Sequence, residues 1–163
     1  MSTKSFIINL PIITGDQDRR RLRKSFSFGG NLQNAVMGGG WDRVLRMRAT
    51  PEWQAARVMP KGSERTKAFR DLRVRFRLSE YDFHADVAKH RKASGRIHLL
   101  DINECQELAS RAWISVERHL YNGGSPRFIS SRRGLHSIEW KTNRTGIIWK
   151  ADQQCVTVCK RVY

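Results

Sequence analysis

The stretch DINECQELASRAWISVERHLYNGGSPRF, residues 101–128, decides how the rest of the chain is arranged. Asp101 followed three residues later by Glu104 has the pattern of an N-cap with its reciprocal carboxylate. Ile102, Cys105, Leu108, Ala109, Ala112, Val116 and Leu120 then recur at helical spacing, which predicts one long helix with a single apolar face. Asn122, Gly123 and Gly124 tolerate positive φ and end it, Arg118 sits near the negative end of the helix dipole, and Pro126 forbids continuation. Arg127, Phe128, Arg132 and Arg133 follow, and around His136 to Trp140 the pattern changes to a strand-like alternation. The helix is thus expected to deliver a basic, aromatic elbow onto a sheet.

A chain of 163 residues suits one domain, or two small subdomains, with a packed core. Its 31 Lys and Arg outnumber its 15 Asp and Glu, for a net charge of +16. A field of that sign and size points to nucleic-acid phosphate as partner, with anionic membrane as the alternative. No stretch approaches the ~20 apolar residues of a membrane span, and the run from Phe6 to Ile13 is broken by Asn9 and Pro11. Three cysteines, an odd number without framework spacing, suit free thiols in a reducing cytoplasm. Cys155 and Cys159 lie in a strand-like run, which argues against a zinc pair, and no cofactor is implied.

Outward from the central helix, Lys4 to Leu10 reads as a short strand closed by Pro11. Thr14, Gly15 and Asp16 offer caps for a helix through Arg19 to Phe28, whose Arg19, Arg20, Arg21, Arg23 and Lys24 form the densest basic run. That run is either a solvated face or a phosphate-binding one. Gly29, Gly30 and the Gly38 to Gly40 triplet interrupt the rhythm of Leu32, Val36, Val44 and Met47, which predicts two helices meeting at a flexible hinge. No Lys-Ser or Lys-Thr follows the triplet, so a nucleotide P-loop is not supported. Thr50-Pro51-Glu52 starts a further helix, and Glu64 to Phe76 forms another with Phe69, Leu72 and Phe76 on one stripe among Arg65, Lys67, Arg70, Arg73 and Arg75.

Ser79 caps a helix from Glu80 to about Lys92, and its tight joint to the preceding one resembles a helix-turn-helix, as many packed helical hairpins do. Asp82, Asp86 and His90 share a face of it, either as polar metal ligands or as a solvated side opposite Phe83 and Val87. Beyond the elbow, His136 to Lys141, Ile147 to Lys150 and Gln154 to Arg161 read as three strands of a meander. Trp140 and Trp149 there are core residues or a stacking surface for bases. With Phe6 to Leu10 they make four strands, one short of the five that close an oligonucleotide-binding barrel.

This order of parts resembles the N-terminal portion of transposon-encoded TnpB proteins and the related small type V CRISPR effectors. The matching pieces are Phe6 to Leu10, the helices between Asp16 and Tyr121, the element Gly124-Ser125-Pro126-Arg127-Phe128, and His136 onward. The resemblance implies an α+β fold with a helical recognition-type lobe, residues 14–122, inserted between a first wedge strand, residues 1–13, and wedge strands in 123–163, an incomplete barrel. It departs from the family at Ile129, where a lysine is usual, and in lacking the RuvC-like nuclease half with its three acidic residues and zinc element.

The expected function is therefore a nucleic-acid-binding platform, not an enzyme, that holds guide RNA and a guide–target duplex and partners target DNA. Catalysis would belong to a separate RuvC-containing chain or a missing C-terminal half. The alternative is a helix-turn-helix DNA-binding transposon regulator using Glu80 to Lys92, whose weakness is the acidic start at Glu80, Asp82 and Asp86. The expected nucleic-acid contacts are Arg19, Arg20, Arg21 and Lys24, then Arg73, Arg75 and Arg77. To these are added Arg127, Phe128, Arg132, Arg133, Lys141 and Arg144. Phe128 reads equally as a buried anchor of the elbow.

Overall fold

The computed structural model of the chain describes residues 13–139, 147–150, 152–153, 155–158 and 161–162. Five helices carry most of it: α1 (Asp16–Arg48), α2 (Pro51–Val58), α3 (Ser63–Arg75), α4 (Glu80–Ala93) and α5 (Ile102–Glu117). Three short strands follow, β1 (Ile147–Lys150), β2 (Cys155–Val158) and β3 (Arg161–Val162).

The starts of the helices follow from their side chains. Asp101 accepts from the amides of Asn103 and Glu104 while Glu104 accepts from the Asp101 amide at 2.7 Å, a closed capping box. Ser79 and Asp82 form a second box at α4, and Thr50 caps α2 ahead of Pro51. At the end of α3, Arg77 adopts φ 53° and donates its amide to Val74 while Leu78 reaches back to Arg73, closing the helix with a left-handed residue. The non-glycine residue is held there because its guanidinium meets Asp82 at 3.3 Å and Asp86 at 3.7 Å.

The core lies among α1, α4 and α5. Val36, Met37, Val44 and Met47 from α1 meet Phe83 and Val87 from α4 and Leu108, Ala112 and Val116 from α5, all buried. The α2–α3 pair docks through rings: Trp53 packs edge-on to Phe69 at 5.0 Å and stacks on Tyr121 at 5.9 Å.

Against the expected hinge, α1 is one unbroken helix of 33 residues. A glycine inside a helix costs roughly 0.5–1 kcal/mol relative to alanine, and packing offsets it here. A Cβ at Gly29 would meet Leu135 at 3.0 Å and Leu108 at 3.3 Å, and a Cβ at Gly40 would overlap the Phe83 ring. The absent side chains make grooves into which other elements settle, so these glycines tighten the structure.

The expectation of an α+β wedge barrel is overturned, because the chain is mostly helical and its sheet is an open three-stranded meander in the order β1-β2-β3. β1 pairs antiparallel with β2, Ile147 opposite Val158, and the expected single strand 154–161 is instead β2 pairing back on β3, with Val158 opposite Arg161. Three strands of two to four residues cannot curl into a closed barrel. Residues 136–139, expected to begin a strand, are not in one. They belong to an irregular strap over the helices, in which Leu135 and Ile138 pack on the core and Arg111 of α5 donates to the Ser137 carbonyl at 2.8 Å. Apolar residues that would have faced a barrel interior are spent on the helical body. The expected first strand, residues 6–10, lies outside the described residues.

Candidate nucleic-acid interface

The thirteen expected contacts separate into three groups by what their charges already hold. Arg73, Arg75 and Arg77 are paired with groups of the chain itself, Arg75 and Arg77 at the surface. Arg73 donates from Nε to the Leu78 carbonyl at 3.3 Å, lies over the Trp113 ring at 5.3 Å, and meets Glu117 at 3.6 Å. Arg75 pairs with Glu52 at 3.0 Å and sits over Phe76, and the Glu52 carboxyl is held below the usual carboxylate range first by its own backbone amide and then by this bond. Arg77 holds Asp82 and Asp86 across the α3–α4 joint. These three tie helices together.

The second group is the start of α1. Arg19 reaches Asp16 at 3.8 Å and Arg20 donates to the Asp16 carbonyl, but the run beyond them is open. Arg20, Arg21 and Lys24 line a groove with His98, and Arg23 and Lys24 line its continuation with Arg96. The far wall is the turn between α4 and α5, held to α1 by Ser25, which donates to the Leu99 carbonyl at 2.9 Å. Among the described residues no carboxylate lies within ion-pair distance of Arg21, Arg23, Lys24 or Arg96. Converging cations without carboxylate partners repel one another, and an anion relieves that repulsion.

The third group is the elbow. Pro126 is buried, and Asn34 of α1 holds Ile129 by both backbone atoms, donating to its carbonyl at 2.8 Å and accepting from its amide at 2.9 Å. Arg127, Phe128, Arg132 and Arg133 line a shallow basin with His136, and all are exposed. Lys141 and Arg144 lie outside the described residues.

The elbow and part of the α1 groove, Arg20 and Arg23, share one face of α1. At 100° per residue, Arg20, Arg23, Ser27, Asn34 and Gly38 fall within about 60° of one another around the helix axis. Asn34 and Gly38 are the points where the elbow touches α1. From Arg23 to Gly38 the stripe runs about 22 Å at 1.5 Å per residue.

Arg96, His98 and Asn34 went unmarked in the sequence. Arg96 and His98 follow the helix-ending Gly95, and no periodicity connects that turn with residues 20–24; Asn34 is one of three amides, with Asn31 and Gln33, in the stretch between the glycines, and nothing local singles it out. Only the packing of α4 and α5 on α1 brings the first two into the groove.

The other chemistries considered find no support. Asp82 and Asp86 are engaged by Arg77 and Arg43, the latter at 2.6 Å, and among the described residues no group of acidic, histidine or cysteine side chains could hold a metal ion. Burial pushes the Cys105 thiol up to about 12, so it stays protonated and unreactive. At the start of α4, Asp82 and Asp86 pair with arginines of the chain and Glu80 accepts from Ser110 of α5 at 2.5 Å, while Tyr81 is exposed. Among the described residues no helix is long and apolar enough to cross a membrane.

Comparison with protein-family models, curated proteins and solved structures finds no match to this chain.

Proposed function

We propose that this protein is a non-catalytic platform that grips the phosphate backbone of structured nucleic acid along the α1 stripe. The observation that carries the reading is the groove in which Arg21, Arg23, Lys24 and Arg96 converge with no acidic partner among the described residues. Elsewhere Arg43, Arg48, Arg73, Arg77 and Arg111 hold carboxylates or carbonyls of the chain, and what sets the groove apart from exposed cations such as Lys61, Lys67, Lys89 and Lys92 is that its own cations line one concavity. Set beside the Gly-x-Pro-Arg-Phe element after the long helix, which resembles TnpB and small type V CRISPR proteins, the favoured ligand is guide RNA and its duplex with target DNA. Sequence would then be read by base pairing, and the protein would hold the backbone. A nucleic-acid partner fits a cytoplasmic location.

The test is binding of a fluorescein-labelled RNA hairpin across a salt series. Contact with ~6–10 phosphates lowers affinity about 10³–10⁵-fold between 50 and 200 mM salt. A flat response overturns the proposal. Incubated with Mg²⁺, the pure chain is expected to leave RNA and DNA intact, and metal-dependent cleavage would overturn the non-catalytic part.

A further inference from the structure

The α1 groove offers charge without a ring, whereas the elbow offers both. Phe128 is half exposed, and among the described residues no other aromatic ring or cation packs on it. A buried anchor for the elbow would be covered, and that role is filled by Pro126 and by Ile129, whose side chain lies within 3.8 Å of a Cβ built at Gly30. Phe128 instead lays one edge against α1, where a Cβ at Gly38 would stand 3.7 Å from Cε1, and leaves the rest of its ring to solvent.

The backbone around it is fixed. Asn34 holds both polar atoms of Ile129, Gly134 at φ 67° donates to the Ser130 carbonyl at 2.9 Å, and Ser130 Oγ accepts from the Arg133 amide at 3.2 Å. Arg132 and Arg133 of this turn line the same basin as Phe128 and Arg127. None of the three has a carboxylate within ion-pair distance among the described residues. An exposed ring that lines one basin with three arginines has the composition of a single-nucleotide site, in which the base stacks and its flanking phosphates are paired.

Resting on the platform reading, we infer that the elbow is a subsite for one unpaired nucleobase at the end of a stem, Phe128 stacking on the base while Arg132 and Arg133 take the adjoining phosphates. The base must be unpaired because a ring in a continuous duplex is already stacked on both faces. The groove and the elbow then divide the work: the first holds the stem and the second distinguishes a tail or loop from a blunt end.

The experiment uses the full chain and three RNA hairpins with one stem: blunt, with a short single-stranded tail, and with the same tail made abasic. The natural tail is expected to tighten binding about 10-fold over the blunt stem, within the range for stacking of one base. The abasic tail, which keeps the phosphates, is expected to lose most of that gain. Phe128→Leu should erase the difference between natural and abasic tails while leaving blunt-stem affinity and the circular dichroism spectrum unchanged, and Phe128→Trp should restore it. A DNA tail on the same stem shows whether the 2′-hydroxyl contributes; equal gain keeps the subsite and assigns it to the base alone. Equal affinity for natural and abasic tails, or a Phe128→Leu variant that keeps the preference, overturns the subsite with the platform intact. Failure of every hairpin to bind overturns the platform, and the subsite falls with it.

Discussion

At the C-terminal end of α1, Arg43 and Arg48 bond to groups of the chain itself, Arg43 through one Nη only while its Nε and other Nη are buried without a hydrogen-bond partner, whereas at the N-terminal end Arg21, Arg23 and Lys24 meet no carboxylate among the described residues. Arg43 pairs with Asp86 and lies over Phe83 at 5.3 Å. Arg48 crosses to the end of α5, where its guanidinium donates to the carbonyls of His119, Leu120 and Asn122, and lies over Trp41. Burial lowers its pKa, with Arg57 a second cause, yet an arginine so shifted stays charged at neutral pH. One helix thus carries arginines that close the protein and arginines with no carboxylate partner among the described residues. A cation's use is told by what faces it.

The largest effect expected from this contrast is at Arg43. Its side chain and that of Asp86 are 15% and 14% exposed, so Arg43→Ala leaves a nearly buried carboxylate with only the more distant Arg77. The expected cost is about 3 kcal/mol in urea unfolding. The folded fraction should bind RNA as before. A loss under about 1 kcal/mol would mean that the pair is not structural and that the two ends of α1 differ little in the use of their cations.

The glycine triplet sharpens the same comparison. A Cβ at Gly40 overlaps the fully buried Phe83 ring, whereas Gly39 has nothing within 4 Å. Gly40→Ala is therefore expected to cost about 1–3 kcal/mol through overpacking. Gly39→Ala should add about 0.5–1 kcal/mol by helix propensity. A flexible hinge would make both substitutions act alike, and identical shifts in thermal midpoint would reinstate it.

How much of this could be read in the chain depended on whether the deciding interaction was local. The capping box at Asp101, the Ser79 cap and the Thr50-Pro51 start involve residues no more than three apart, and all three stand in the structure as the sequence predicts, Ser79 with Asp82 completing a box besides. The glycines of α1 misled because their partners, Leu135 and Phe83, are distant in sequence and nothing local marks a groove. The strap misled for a related reason. Alternation from His136 suits a strand, but Ile138 and Leu135 find the helical core, and Arg111 takes the backbone carbonyl of Ser137 that a ladder would need. In the site, the basic run was visible as composition, while the occupation of Arg73, Arg75 and Arg77 by Glu117, Glu52, Asp82 and Asp86 depended on packing.

The smallest effect on stability is expected where the largest effect on binding lies. Arg23 and Lys24 are exposed, line the groove with Arg96, and have no acidic partner among the described residues. Replacing both with alanine should change unfolding free energy by no more than about 0.5 kcal/mol, as for surface positions without special interactions. If each neutralises one phosphate of the stem, the slope of log affinity against log salt should become shallower by about 1.8, roughly 0.9 for each phosphate left without its cation. Arg73→Ala supplies the opposite pattern, with lower stability because Glu117 and the Leu78 carbonyl are deprived of their partner, and an unchanged slope. Salt slope and stability are separate measurements, so the two variants should fall on different axes. A common response in both would show that the groove cations are part of the scaffold after all, and that a cation lacking a carboxylate partner does not mark the binding surface.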